Sequence, residues 1–228
     1  MSKDDVSSAV ARRSFLAKLG AGVTVAGAFA SGAPQASAQT PAGGWRPTRH
    51  TQDDWLDALP GGHRFVFDTT TLSAFESAKI YANNFYLANQ AGYGLGNADA
   101  AVVIIVRHLS TGFGFNDAMW KKYGATLSKM SGALDPKTQQ PSMVNPQLAG
   151  DDTSISGLAK RGVQFAVCQM ATRFFAGELV KAVGGTATTA DVYAELTANL
   201  VPNSHLVAAG IVALNRAQER GYTVAITT

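Results

Sequence analysis

The stretch Ala100-Ala101-Val102-Val103-Ile104-Ile105-Val106 decides the fold. Its apolar residues run without alternation and five of them are β-branched, which predicts a strand covered on both faces at the centre of a parallel sheet. Arg107-His108 ends it. On the N-terminal side, Phe65-Val66-Phe67 predicts a strand closed by Asp68-Thr69-Thr70. A helix follows, with Ser73 as cap and Glu76 completing a capping box. Ala78, Ala82 and Phe85 share one face of that helix, Tyr81 and Tyr86 read as packing beside them, and Gly92-Tyr93-Gly94-Leu95-Gly96 stops it.

On the C-terminal side, Gly112-Phe113-Gly114 forms a loop and Asn116-Asp117 opens a helix carrying Met119, Trp120 and Tyr123. Residues 125–154 then lose their apolar period and gather Pro136, Pro141 and Pro146, so they are expected to be an insertion: a lid, an oligomer contact or an appendage. The strand pattern returns at Val163–Cys168, and a helix spans Gln169–Val183 up to Gly184-Gly185. A further helix over Thr189–Leu200, a strand at His205–Ala209, a helix through Ile211, Leu214 and Gln218, and a last strand at Tyr222–Ile226 complete the chain. Alternating β and α elements with short turns predict a doubly wound, mostly parallel sheet of about five strands with helices on both faces.

Composition removes several function classes. One cysteine in 228 residues cannot form an internal disulfide framework, and four scattered histidines do not make a structural zinc module. The formal charge is +3, but residues 1–38 hold four Lys/Arg and two Asp/Glu, which leaves 15 against 14 for residues 39–228. A basic face for nucleic acid is therefore not expected.

Residues 1–38 read as an export signal: Arg12-Arg13-Ser14-Phe15-Leu16, a mild apolar stretch from Leu19 to Ala30, then Ala36-Ser37-Ala38. The order resembles the bacterial twin-arginine (Tat) signal. Ala11 stands where Ser or Thr is common, and Lys18 lies one place late. An ordinary Sec signal or an uncleaved anchor is the competing reading. The apolar run is shorter than the ~20 residues of a stable span, so cleavage after Ala38 would leave Gln39–Thr228 periplasmic or secreted with no membrane span. Residues 39–62, rich in Gly and Pro with Trp45 and Trp55 as large anchors, read as an N-terminal arm ahead of a domain at 63–228.

Ligands of such sheets bind beyond the carboxyl ends of the strands, which singles out Asp68-Thr69-Thr70, His108, Cys168 and Gly210. Cys168 ends a strand just before a helix, where free backbone N–H groups favour an anionic sulfur, and Arg173 on the first turns of that helix is a candidate thiolate stabiliser. The alternative is a buried core cysteine. His108 is a candidate base or orienter if its strand end shares the crevice, and otherwise a turn residue. No Gly-x-Ser-x-Gly elbow is present, and Asp68, Asp117 and Asp135 are too dispersed to argue a carboxylate pair. Gly112-Phe113-Gly114 hints at a phosphate loop, yet the third glycine of a dinucleotide fingerprint is missing and Ala118 sits one place too far on. No metal or other cofactor is implied, and nucleotide or flavin binding ranks below a thiol function.

Gly162-Val163-Gln164-Phe165-Ala166-Val167-Cys168 with its following helix, Leu200-Val201-Pro202, Gly210, and Ala217-Gln218-Glu219-Arg220-Gly221-Tyr222 together resemble the DsrE/DsrF-like family of small sulfur-relay proteins, over about Arg64 to Ile226. The resemblance implies a flavodoxin-like three-layer sandwich, a symmetric homo-oligomer, and partner proteins that donate and accept sulfur. In the sulfur-carrying members a cysteine ending the third strand holds persulfide sulfur, and Cys168 matches it by position. The best-known relay members are cytoplasmic and lack so long an insertion before that strand. A ligand-binding or assembly protein with a structural Cys168 is the competing reading.

Overall fold

The computed structural model describes residues 46–228. Five strands, β1 (His63–Thr69), β2 (Ala100–Val106), β3 (Gln164–Cys168), β4 (Ser204–Val207) and β5 (Thr223–Ile226), form one all-parallel sheet in the order 4-3-2-1-5. The three-layer α/β class expected from the alternating pattern is what forms, and every residue of β2 is buried, as its uninterrupted apolar run requires. The order has its own signature. The chain steps outward from β1 to β4 in one direction and reverses only in the last crossover, whereas the 2-1-3-4-5 order reverses after the second strand.

Right-handed crossovers turn this order into unequal layers. Helices α2 (Leu72–Tyr93), α3 (Asp117–Ser131), α4 (Ile155–Lys160), α5 (Gln169–Val183) and α6 (Thr189–Ala198) follow strands that advance in one direction. They cover the first face, where Val102, Ile104, Val106 and Phe165 pack with Phe75, Phe113, Trp120, Leu127 and Phe175. Among the described helices α7 (Gly210–Gln218) alone returns, and it covers the second face, packing Ala213, Leu214 and Ala217 on Ala101, Val103, Ile105 and Ala166.

The remainder of that face is closed by the arm. Its short helix α1 (Trp55–Ala58) sinks Leu56 to 1 % exposure against Val66. Tyr222 Oη donates to the Leu56 carbonyl at 2.7 Å, Arg64 donates to the same carbonyl at 2.8 Å, and Arg220 Nε donates to Asp57 at 3.0 Å. Residues 46–62 of the arm are thus held by Leu56 and by polar clasps as well as by Trp55. The export reading of 1–38 and the anchor reading of Trp45 lie outside the described residues.

The start of α2 and the end of α3 differ from expectation, each for a local reason. The cap of α2 is Thr71, whose Oγ1 accepts from Ala74 N–H at 3.2 Å, because β1 runs on to Thr69 and leaves room for only one turn residue before it. Glu76, free of capping, accepts from Gln147 Nε2 at 3.1 Å. Helix α3 continues to Ser131, so the irregular segment is 132–154 rather than 125–154.

That segment is stitched to the domain. Buried Asn145 donates its amide to both the Phe113 and Phe115 carbonyls, at 2.9 and 2.8 Å, and its backbone N–H to Asp117 Oδ1 at 2.8 Å. Ser142 N–H donates to Ser128 Oγ on α3 at 2.8 Å. Polar groups anchor this stretch, which is why no apolar period announces it.

Candidate functional site

The strand order creates one divergence at the carboxyl edge of the sheet. From β3 the chain leaves into α5 on the first face, and from the adjacent β4 it leaves into α7 on the second. Neighbouring strand ends whose helices part in this way leave a crevice between them. A cleft of about 330 Å³ lies there, lined by Arg107, His108 and Leu109 beyond β2, Cys168, Met170, Ala171 and Phe174 around the start of α5, and Ala209 to Ile211 at the start of α7.

Cys168 is at once the last residue of β3 and the N-cap of α5. Its Sγ accepts from Ala171 N–H at 3.4 Å, and its carbonyl accepts from Thr172 Oγ1 at 2.9 Å. Only 6 % of the residue is exposed. The strand pairing of Cys168 with Val207 and the cap geometry fix the sulfur at the cleft.

Arg107 supplies the cationic side. Its Nε and Nη2 donate to Asp68 Oδ1 and Oδ2, both at 2.7 Å, in a bidentate pair whose carboxylate is 1 % exposed. The hydrogen bonds to Asp68 raise the guanidinium further above its usual range, burial opposes this, and the charges of Asp68 and Cys168 act in the raising sense. The Arg107 stem passes directly beneath α7. A Cβ on Gly210 would lie 2.6 Å from Arg107 Cβ and 2.7 Å from its Cδ, so only glycine admits the arginine there.

Below this layer, the ends of β1 and β2 are knitted by buried hydroxyls. Thr69 Oγ1 donates to the Ile105 carbonyl at 2.6 Å and lies 2.9 Å from Ser110 Oγ. Leu109 and Ser110 N–H both donate to the Thr70 carbonyl. His108 sits over this knot with φ of 55°, a left-handed conformation that a non-glycine residue adopts at some cost. Gly112-Phe113-Gly114 is buried in the 3-10 helix His108–Gly114, its Gly112 carbonyl accepting from Trp120 Nε1 at 3.0 Å, and so presents no open phosphate loop.

Of the residues named from sequence, the structure brings Cys168, His108 and Gly210 to one cleft. Arg173 stands elsewhere: its guanidinium lies over the Tyr193 ring of α6, 5.0 Å from the centroid, and Arg107 is the arginine beside the thiol. The Asp68–Arg107 pair was not anticipated as a unit. Alternation carries the signal, since Asp68 follows Val66, and Arg107 follows Ile105, on the second face of adjacent strands.

The rim is apolar. Met170 and Phe174, one turn apart on α5, are 68 % and 59 % exposed, and Ile211 at the start of α7 is 57 % exposed. No residue of 132–154 lines the cleft, so that segment is not its lid. Among the described residues no group of His, Cys, Asp or Glu is placed to hold a metal ion, and no helix is long and apolar enough to cross a membrane. Comparison of the chain with protein-family models, with curated proteins and with solved structures gave no match.

Proposed function

We propose that the protein is an exported thiol protein that carries sulfane sulfur on Cys168, in the manner of the DsrE/DsrF-like proteins it resembles. The observation that carries this reading is the seat of Cys168 Sγ, at the head of a 15-residue helix, in a cleft shared with a clamped guanidinium. In the proposed step the Cys168 thiolate attacks the outer sulfur of a donor R–S–SH. A new S–S bond forms at Cys168, the donor S–S bond breaks, and R–S⁻ leaves with the electron pair while the proton stays on the transferred sulfur. Atoms and charge balance, and no external oxidant is required. The exposed Met170, Phe174 and Ile211 are the surface through which a donor, an acceptor or a further subunit would be received.

Incubation of the folded protein with a low-molecular-weight persulfide, followed by intact mass, tests the proposal. Wild type is expected to take up one sulfur atom and Cys168→Ser none. Equal uptake by both, or uptake by neither, overturns it. Homo-oligomerisation is proposed from the family resemblance, and a strictly monomeric mass in solution scattering would count against it.

A second reading keeps the cleft and discards the thiol chemistry. Cys168 is buried and its sulfur already accepts a hydrogen bond, which suits a structural cap in a binding protein for a small apolar ligand. Retention of ligand binding by Cys168→Ser, with no sulfur uptake by wild type, favours it.

A further inference from the structure

Resting on the thiol reading above, we propose that Arg107 is a specificity-determining residue that makes the Cys168 cleft select negatively charged reagents over neutral ones, with Asp68 and Gly210 as its positioning residues. Asp68 uses the Nε and Nη2 edge of the guanidinium, and Nη1 has no partner among the described residues. The carboxylate is buried and the arginine side chain is 27 % exposed, so the pair presents its cationic end to the cleft and keeps its anionic end inside the sheet. Gly210 fixes the height of the stem, since a methyl group there would displace Arg107 without altering any charge. Apart from Cys168 itself and His108, the remaining lining is neutral and apolar, so no carboxylate among the lining residues competes for the guanidinium. A donor bearing an anionic group beside its reacting sulfur is therefore drawn in and oriented, and an uncharged donor of equal size is not.

The test uses the folded full chain and two alkylating probes with the same displacement chemistry, anionic iodoacetate and neutral iodoacetamide. Taking the ratio of their rates at Cys168 cancels both the fraction of thiolate and the accessibility of the sulfur. Relative to the urea-unfolded chain, the folded wild type is expected to favour iodoacetate by about three- to tenfold at low salt, a preference that falls as ionic strength rises. Arg107→Gln should abolish the preference, Gly210→Ala should reduce it, and Arg107→Lys should retain part of it. A wild-type ratio equal to that of the unfolded chain and insensitive to salt overturns the inference even if no variant folds, as does an unchanged ratio in folded Arg107→Gln. Failure of both probes to react with the folded wild type overturns the thiol reading itself, and is distinguishable from either result.

Discussion

The indole of Trp55 lies flat against the imidazole of His205, with 3.9 Å between ring centres and 8° between planes. It joins the N-terminal arm to edge strand β4. His205 Nε2 also lies 3.0 Å from Gln164 Oε1 on β3, and burial lowers the imidazole below its ordinary value of 6.5. The unfolded chain therefore takes up this proton first as pH falls. The contribution of neutral His205 is intact above about pH 6.5 and is lost as pH drops below it, with a slope of at most about 1.4 kcal/mol per pH unit. Urea midpoints measured from pH 7.5 to 5 should decline in wild type and decline less in His205→Phe, which keeps a stacked ring but cannot titrate.

Asn145 is the rivet of segment 132–154. Asn145→Ala leaves the Phe113 and Phe115 carbonyls without the amide that now satisfies both, at an expected cost of about 2–3 kcal/mol. Chemical denaturation reads this directly. A change below about 0.5 kcal/mol would show that water replaces the amide.

Tyr222 closes the arm from the C-terminal end. Burial pushes its phenol up to about 12, with the Arg64 charge opposing, and Tyr86 rises to about 12 through burial as well. Both groups stay protonated in the folded protein beyond the pH at which the unfolded chain ionises. Their contribution is complete below about pH 10 and is lost as pH climbs toward 12. Tyr222→Phe should cost about 1 kcal/mol at neutral pH and flatten part of the alkaline decline in stability, which denaturation at pH 8 and 11 compares.

Export is tested at the N-terminus. If residues 1–38 are removed as proposed, protein recovered from the periplasm begins at Gln39 by intact mass, and combined Arg12→Lys and Arg13→Lys blocks its appearance there. A chain still beginning at Met1 in that compartment, or export indifferent to both arginines, would point away from the twin-arginine route.

Ala100–Val106 made the central strand legible because burial on both faces leaves no polar position to interrupt the run. Asn116 as a cap, the glycine stop at Gly94 and the strand-end seat of Cys168 were equally legible, each being a local signal. The last two turns of α3 were not, because Ser128 and Ser131 occupy inward positions where an apolar residue would have kept the period. Ser131 Oγ is buried by donating to the Leu127 carbonyl, and Ser128 Oγ by accepting from Ser142. Strand order lay beyond local reading, and with it the Asp68–Arg107 contact and the apolar rim. These require knowing that β1 pairs with β2 and that β3 and β4 send their helices to opposite faces.

The clasp between Tyr222 and Leu56 spans 166 residues of chain, and that separation governs what damage the domain can bear. Among the described residues, the stripe of Val66, Ala101, Val103 and Ile105 is roofed by material drawn from the two extremities of the fold, α1 and Leu59 at one end and α7 and Tyr222 at the other. A nascent chain therefore shows this stripe to its surroundings until the last crossover has been made, however well the opposite layer has already set. Trimming either extremity bares the same greasy surface. Clipped forms that differ in which end they have lost should accordingly self-associate through one shared face and depend on the same chaperoning.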